Sequence, residues 1–233
     1  MMISVVVPAY NEHERIEKTL AGIAALPFET EVIVVDDGSR DDTAEIAERC
    51  GADTVLRVPH GGKGRALQVG CKVAQGTVLL LLDADLGDSA AHAGALVTPL
   101  IDGAADMTIA VLPAGSKKGG GMGLVVRLAR LGIRLYTGRY TQAPLSGQRA
   151  IKRELLDGIG GFAEGWGAEA ALTILALTAN FRVLEVECDL KHRITGRSIG
   201  DILHRLSQFK DVFVTLVGLR ARVRAVKLTG ASR

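Results

Sequence analysis

The chain has few cysteines, few aromatics, little net charge and no apolar run long enough to span a bilayer. Cys50, Cys71 and Cys188 are odd in number and widely spaced across 233 residues. That pattern argues against a disulfide frame or a zinc site and for reduced thiols. The formal charge of +2 supplies no overall field that would demand nucleic acid as a partner. No segment reaches bilayer-spanning length, and the first residues lack the basic-then-apolar pattern of a secretion signal. The expected location is the cytoplasm or its membrane face. With aromatics at only 4% against 48% hydrophobic residues, the core must be built from Val, Leu, Ile and Ala.

What is present is a regular alternation. Strands are predicted at Ile3–Val7, Glu31–Val35, Thr54–Val58, Thr77–Leu82 and Met107–Val111. Helical spacing marks Glu12–Leu26, Asp41–Cys50 (capped by Ser39 or Asp41), the stretch from Gly64 to Ala74, and Ser89–Ile101. Repeated βα units of this length imply an α/β fold with a mostly parallel sheet and helices on both faces. After Pro113 the rhythm breaks. A glycine-rich loop at 117–123 leads to a basic amphipathic stretch holding Arg127, Arg130 and Arg134. A strand is expected within Ser146–Arg153, a buried helix at Ala168–Ala179, and a last pair of strands at Arg182–Val186 and Cys188–His192. From Asp201 onward Ile202, Leu206, Phe209, Phe213 and Leu216 fall on one face of a C-terminal amphipathic helix. Four basic residues, Arg220, Arg222, Arg224 and Lys227, follow its apolar segment. Such a helix could sit on an anionic leaflet, meet a second copy of the chain, or pack on the core.

Chemistry-bearing residues gather at the predicted strand ends. The most apolar run ends in Asp83, Ala84 and Asp85. Two carboxylates at the C-terminal edge of a buried strand can hold a divalent cation serving a phosphorylated substrate, although Asp is also a common helix cap. The first strand ends in Pro8, Ala9, Tyr10, Asn11 and Glu12; Tyr10 offers a flat face for a base or ribose, and Asn11 could simply cap a helix. The second ends in Asp36, Asp37, Gly38 and Ser39, where a carboxylate can accept from a base N–H or ribose hydroxyl, or make a turn. Lys63, between Gly62 and Gly64, can approach a diphosphate at a helix start. The spacing is not that of a Walker loop.

Together these motifs resemble the family 2 glycosyltransferases of the GT-A fold: residues 6–12, 34–39, 62–64 and 82–86 carry the match, and the likeness extends over roughly 1–200. The resemblance implies a domain at 1–200, its half at 1–112 binding a nucleotide-diphosphate sugar and its half at 113–200 binding the acceptor, followed by the basic helix at 201–233. It implies Pro8, Ala9, Tyr10, Glu12, Asp37, Lys63, Asp83 and Ala84 around the nucleotide sugar, with Asp85 on a Mg²⁺ or Mn²⁺ ion.

Two acceptor patterns compete. Residues 145–154 resemble the acceptor region of polyprenyl-phosphate sugar synthases, which would put Ser146, Arg149, Arg193 and Arg197 on an acceptor phosphate. Residues 165–169 with His192 and Arg193 resemble the glucosyl-3-phosphoglycerate synthases. There Glu169 would lie beside a hydroxyl acceptor, as general base or as a positioning group, and His192 would complete the metal site. Glu169 could equally be an ordinary first-turn acid, and a lone His is usually structural. A sugar-1-phosphate nucleotidyltransferase and a non-catalytic nucleotide-sugar binder are the remaining alternatives.

Overall fold

The computed structural model describes residues 2–113, 123–162, 167–191 and 199–230. Seven strands, β1 (Ile3–Ala9), β2 (Thr30–Asp36), β3 (Thr54–Arg57), β4 (Val78–Leu81), β5 (Met107–Val111), β6 (Arg149–Lys152) and β7 (Val183–Glu187), form one sheet in the order β3-β2-β1-β4-β6-β5-β7. All neighbours are parallel except β6, which runs antiparallel to both β4 and β5. From β1 the chain winds outward through β2 to β3, then crosses back to β4 on the other side of β1. That reversal opens a crevice at the C-terminal ends of β1 and β4, where open α/β sheets bind ligands.

Strand pleating sends alternate residues to two cores. Val6, Ile33, Val35, Leu79 and Leu81 face one side, packing with α3 (Lys63–Val73), α5 (Gly123–Thr137), α7 (Ala168–Thr178), α8 (Ile199–Gly218) and α9 (Arg220–Gly230). Val5, Val7, Val34, Leu80 and Leu82 face the other, against α1 (Ile16–Ala24), a 3₁₀ segment (Gly87–Ala93) and α4 (Gly94–Ile101). The helices α2 (Thr43–Arg49) and α6 (Arg153–Gly158) complete the set. Gly70 lets α3 lie close on the sheet: a Cβ there would come within 2.5 Å of Val6 and 2.9 Å of Val35 side chains. Close packing there seats the later turns of α3 on the sheet, while its start is fixed by the glycine loop that precedes Lys63. The three cysteines are free thiols.

Several expectations need correction. No strand forms at 188–191; the Cys188 thiol donates to the His92 carbonyl and the Lys191 amide to Ser89 Oγ, so this segment is tied to the 3₁₀ segment instead. The helix expected at Ser89–Ile101 is divided between 3₁₀ and α geometry. Asn11 caps no helix: its φ is 55°, its amide donates to Ser39 Oγ, and its side chain accepts from the Arg40 amide. The C-terminal segment breaks at Leu219 into two helices, and its buried face is Val212, Leu216, Leu219, Val223 and Val226. Phe209 and Phe213, expected with Leu216 on one face, are exposed. Arg222 is spent on the carbonyls of Ile159, Gly160 and Gly161 at 2.9–3.2 Å, satisfying the end of α6. The glycine-rich residues 114–122 and the 163–166 segment lie outside the described residues.

Opposite the crevice, Asp106 closes the N-terminal end of β5. Its carboxylate accepts from Lys152 Nζ at 2.9 Å, from Arg182 Nη2 and Nε at 2.9 and 3.1 Å, and from the Arg182 amide at 2.9 Å. Burial alone would raise its pKa, but these donors outweigh it and hold the carboxyl well below the usual range. Asp106→Ala should lower stability by about 2 kcal/mol at neutral pH, the partly exposed Arg182 screening the pair. Because the folded pKa is depressed, this contribution is full above the unfolded value of about 3.9 and fades as pH falls below it. Urea titrations of both proteins across that range should therefore converge in acid.

Candidate active site

Tyr10, Asp37, Lys63 and the Asp83–Asp85 turn line one cleft of about 360 Å³, together with Pro8, Ala9, Glu12 and Ala84. All eight residues expected around the nucleotide sugar, and Asp85, thus meet at the crevice between β1 and β4. Each is brought there by a strand end or a helix start.

Asp37 is buried and organises the glycine loop. Its two carboxylate oxygens accept from the Gly61 and Gly62 amides at 2.8 Å each, and His60 Nδ1 lies 2.9 Å from Oδ2. Gly62, at φ 86°, takes a left-handed turn that a side chain would resist, and α3 begins at the next residue. The carboxylate therefore sits at the N-terminus of α3, where negative charge is favoured. A carboxylate has about four acceptor positions, so one further donor can be accommodated. His60 also packs on Tyr10, ring centroids 4.5 Å apart. Asp36 does a different job, its Oδ1 accepting the Ser39 amide at 3.2 Å within the turn.

On the other side of the crevice Lys63 Nζ pairs with Asp83 Oδ1. Burial opposes the ammonium charge, but Asp83, Glu169 and Asp85 together hold its pKa above the ordinary lysine value. The Asp83–Asp85 turn is secured from beneath by Thr19 of α1, which is fully buried: its hydroxyl donates to the Ala84 carbonyl at 2.7 Å and accepts from the Gly87 amide at 2.8 Å. Arg15 Nη1 reaches the Asp85 carbonyl at 3.4 Å. Gly147 presses against the ion pair, since a Cβ there would collide with Lys63 Nζ and stand 3.5 Å from Asp83 Oδ1.

Glu169 is half-buried in the first turn of α7. Burial raises its pKa; the positive charges of Lys63 and Arg149 pull in the opposite direction. It belongs electrostatically to the same cluster as Lys63 and Asp83. Arg149 requires a correction. Its side chain is fully buried, and it donates to the Ser146 and Pro144 carbonyls at 2.8 and 3.2 Å and to Thr173 Oγ1 at 2.9 Å. Burial pulls its pKa down to about 10. A guanidinium so engaged cannot touch an acceptor phosphate; it straps the 144–146 turn to α7, and Glu185 holds the same loop by accepting the Gln142 and Ala143 amides. Ser146 is buried too, and its Oγ has no hydrogen-bond partner among the described residues. His192, Arg193 and Arg197 lie outside the described residues.

Sequence reading missed His60, Thr19 and Gly147. Thr19 carried a signal, a hydroxyl on the same helical face as Ile16, Leu20 and Ile23. His60 and Gly147 carried none, because their roles arise from contacts made 23 and more residues away in the chain. Among the described residues no three His, Cys, Asp or Glu side chains converge as a ready-made metal cage.

Residues 4–163 match the family model described as Glycosyl transferase family 2. The uncharacterized glycosyltransferase Rv0539 of Mycobacterium tuberculosis is 32% identical over 199 residues, covering 84% of this chain and 88% of that one. The dolichyl-phosphate beta-glucosyltransferase ALG5D of Trichomonas vaginalis is 41% identical over 97 residues, 36% of this chain and 30% of that protein. The crystal structure of glucosyl-3-phosphoglycerate synthase from M. tuberculosis, in complex with Mn²⁺, uridine-diphosphate-glucose and phosphoglyceric acid, superposes with a TM-score of 0.77 at 29% identity. That match covers 94% of this chain and 79% of the synthase. A reversed-order sheet whose switch-point cleft gathers these strand-end residues, and a family match over most of its length, place this chain among the family 2 glycosyltransferases.

Proposed function

We propose that the enzyme moves a sugar from a nucleotide-diphosphate sugar, with Mg²⁺ or Mn²⁺, to a phosphate-bearing acceptor. The observation that carries this reading is the convergence of Tyr10, Asp37, Lys63, Asp83 and Asp85 on one cleft. Tyr10 supplies a face for the base, and Asp37 retains room for one N–H or hydroxyl donor beyond its loop amides. The donor set suits a small hard cation: Asp85, with Asp83 beside it, offers carboxylate oxygen, and ions of this kind complete their shell with substrate phosphate and water rather than an all-protein cage. A divalent ion bound there would act as a Lewis acid on the charge developing at the departing diphosphate. Lys63, kept protonated by its acidic neighbours, places a second positive charge at the same position.

Polyprenyl phosphate is the first acceptor of choice. A phosphate monoester with a second pKa of about 6 is already a dianionic nucleophile at neutral pH and needs no base. With Arg149 committed to the protein interior, the acceptor phosphate falls to Ser146, Arg193 and Arg197 in this reading. A second reading, a hydroxyl acceptor on a small phosphorylated molecule, is favoured by Glu169. Its burial and raised pKa are what a general base for an un-ionised hydroxyl requires.

A nucleotide-release assay over several donors, with polyprenyl phosphate or 3-phosphoglycerate, separates the two. Glu169→Gln should abolish transfer to a hydroxyl but leave transfer to a phosphate largely intact. Release stimulated by neither acceptor with any donor would defeat both readings. Asp85→Ala should cut metal-dependent turnover about 10²-fold, by analogy with losing one transition-state contact; near-wild-type turnover would remove Asp85 from the site. Gly147→Ala should displace Lys63 from Asp83. Turnover should drop by at least about tenfold, with the melting temperature almost unchanged because only the end of a flexible side chain must move.

A further inference from the structure

On α5 the residues facing solvent are Leu124, Arg127, Leu131, Arg134 and Leu135, so leucines and arginines share one side of the helix. Leu124 is 69%, Leu131 53% and Leu135 76% exposed, three large apolar side chains on one helix rather than a single exposed leucine. Tyr140, also 68% exposed, follows at the C-terminal end, with the Arg130 guanidinium 5.5 Å from its ring centroid. The opposite side of α5, Val125, Ala129, Gly132 and Ile133, is buried. There α5 packs on α8: a Cβ at Gly132 would collide with Leu216, and the Tyr136 hydroxyl donates to the Leu216 carbonyl at 2.7 Å. The solvent side of α8 bears Phe213, Val214 and Val217, each more than half exposed, and beyond it Arg220 and Arg224 are exposed. No helix among the described residues is long and apolar enough to cross a membrane.

The charge around these side chains is mostly of one sign, Asp211 of α8 being an acid beside Phe213. Residues 107–153 and 212–233 hold fourteen of the chain's 28 Lys and Arg residues and none of its 26 Asp and Glu residues. Of these basic residues, Arg127, Arg134, Arg220 and Arg224 are exposed on the same sides as the apolar groups, whereas Arg149 is buried, Lys152 pairs with Asp106, and Arg153 and Arg222 are held by backbone carbonyls.

We propose that the solvent sides of α5 and α8 form a docking face for an anionic lipid surface. Leucine, phenylalanine and valine side chains would enter the headgroup boundary, while arginine stems lie along it and their heads meet lipid phosphate. A second copy of this chain fits less well: a two-fold contact through this face would bring the arginines of α5 in one copy against those of the other, and α5 itself holds no acid to compensate. A nucleic acid would engage the arginines but leave the exposed leucines in water. The face adds α5 to the C-terminal helix that sequence alone suggested and uses only part of that helix, since Val212, Leu216 and Leu219 are committed to the core and Arg222 to the end of α6.

Flotation with vesicles of phosphatidylglycerol and phosphatidylcholine, compared with phosphatidylcholine alone, tests this without donor or acceptor present. Its failure therefore leaves the acceptor reading standing. The protein should partition onto the anionic vesicles and be released by high salt. Leu131→Glu with Leu135→Glu should weaken partitioning at least about tenfold, and Arg127→Gln with Arg134→Gln by a similar factor, with circular dichroism melts unchanged because all four side chains face solvent. Equal recovery on neutral and anionic vesicles, or on neither, overturns the proposal. So does light scattering that shows a dimer dissociated by the Leu131 and Leu135 substitutions while vesicles go unbound.

Discussion

The ion pair between Lys63 and Asp83 joins the two sides of the crevice. Lys63 opens α3 after the loop moored to Asp37, and Asp83 ends the run of β4. The pair can exist only because the sheet order reverses at β1, bringing the start of α3 and the end of β4 to one edge. Burying an ammonium is costly, and three carboxylates, Asp83, Glu169 and Asp85, outweigh that cost. The same positive charge in turn opposes the effect of burial on Glu169. The site is thus a balanced cluster of charges rather than a set of independent side chains.

Around that cluster, polar groups at buried positions act as ties. Thr19 holds the Asp83–Asp85 turn, Asp37 the glycine loop, and Arg149 the turn that sets Gly147 against Lys63. Each joins backbone segments that the sheet alone does not align. A buried polar group is stable only when its hydrogen bonds are made, so each tie also selects one loop conformation over its competitors. At the opposite end of the sheet Asp106 applies the same device to β5, β6 and the start of β7 without serving the cleft.

Arg149 shows how a motif can mislead. An arginine three residues after Ser146 suggests a phosphate contact, and nothing local says otherwise. Its burial follows from β6 lying in the sheet interior between β4 and β5, with α7 covering it. An antiparallel strand inserted between parallel ones leaves no periodic sign in the residues that form it. The C-terminal helices repeat the lesson: helical spacing grouped Phe209 and Phe213 with Leu216, yet packing against α5 and α7 buried only Leu216 of the three.

Strand and helix alternation, the reduced thiols and the strand-end residues Tyr10, Asp37, Lys63, Asp83 and Asp85 were all legible in the chain, because βα periodicity and turn chemistry are local. Strand order, the orientation of β6, the partners of His60 and Gly147, and the internal role of Arg149 belong to the tertiary structure alone. They depend on contacts between residues far apart in the chain, and no local pattern of side chains specifies which distant segment will supply the other half of a hydrogen bond or an ion pair.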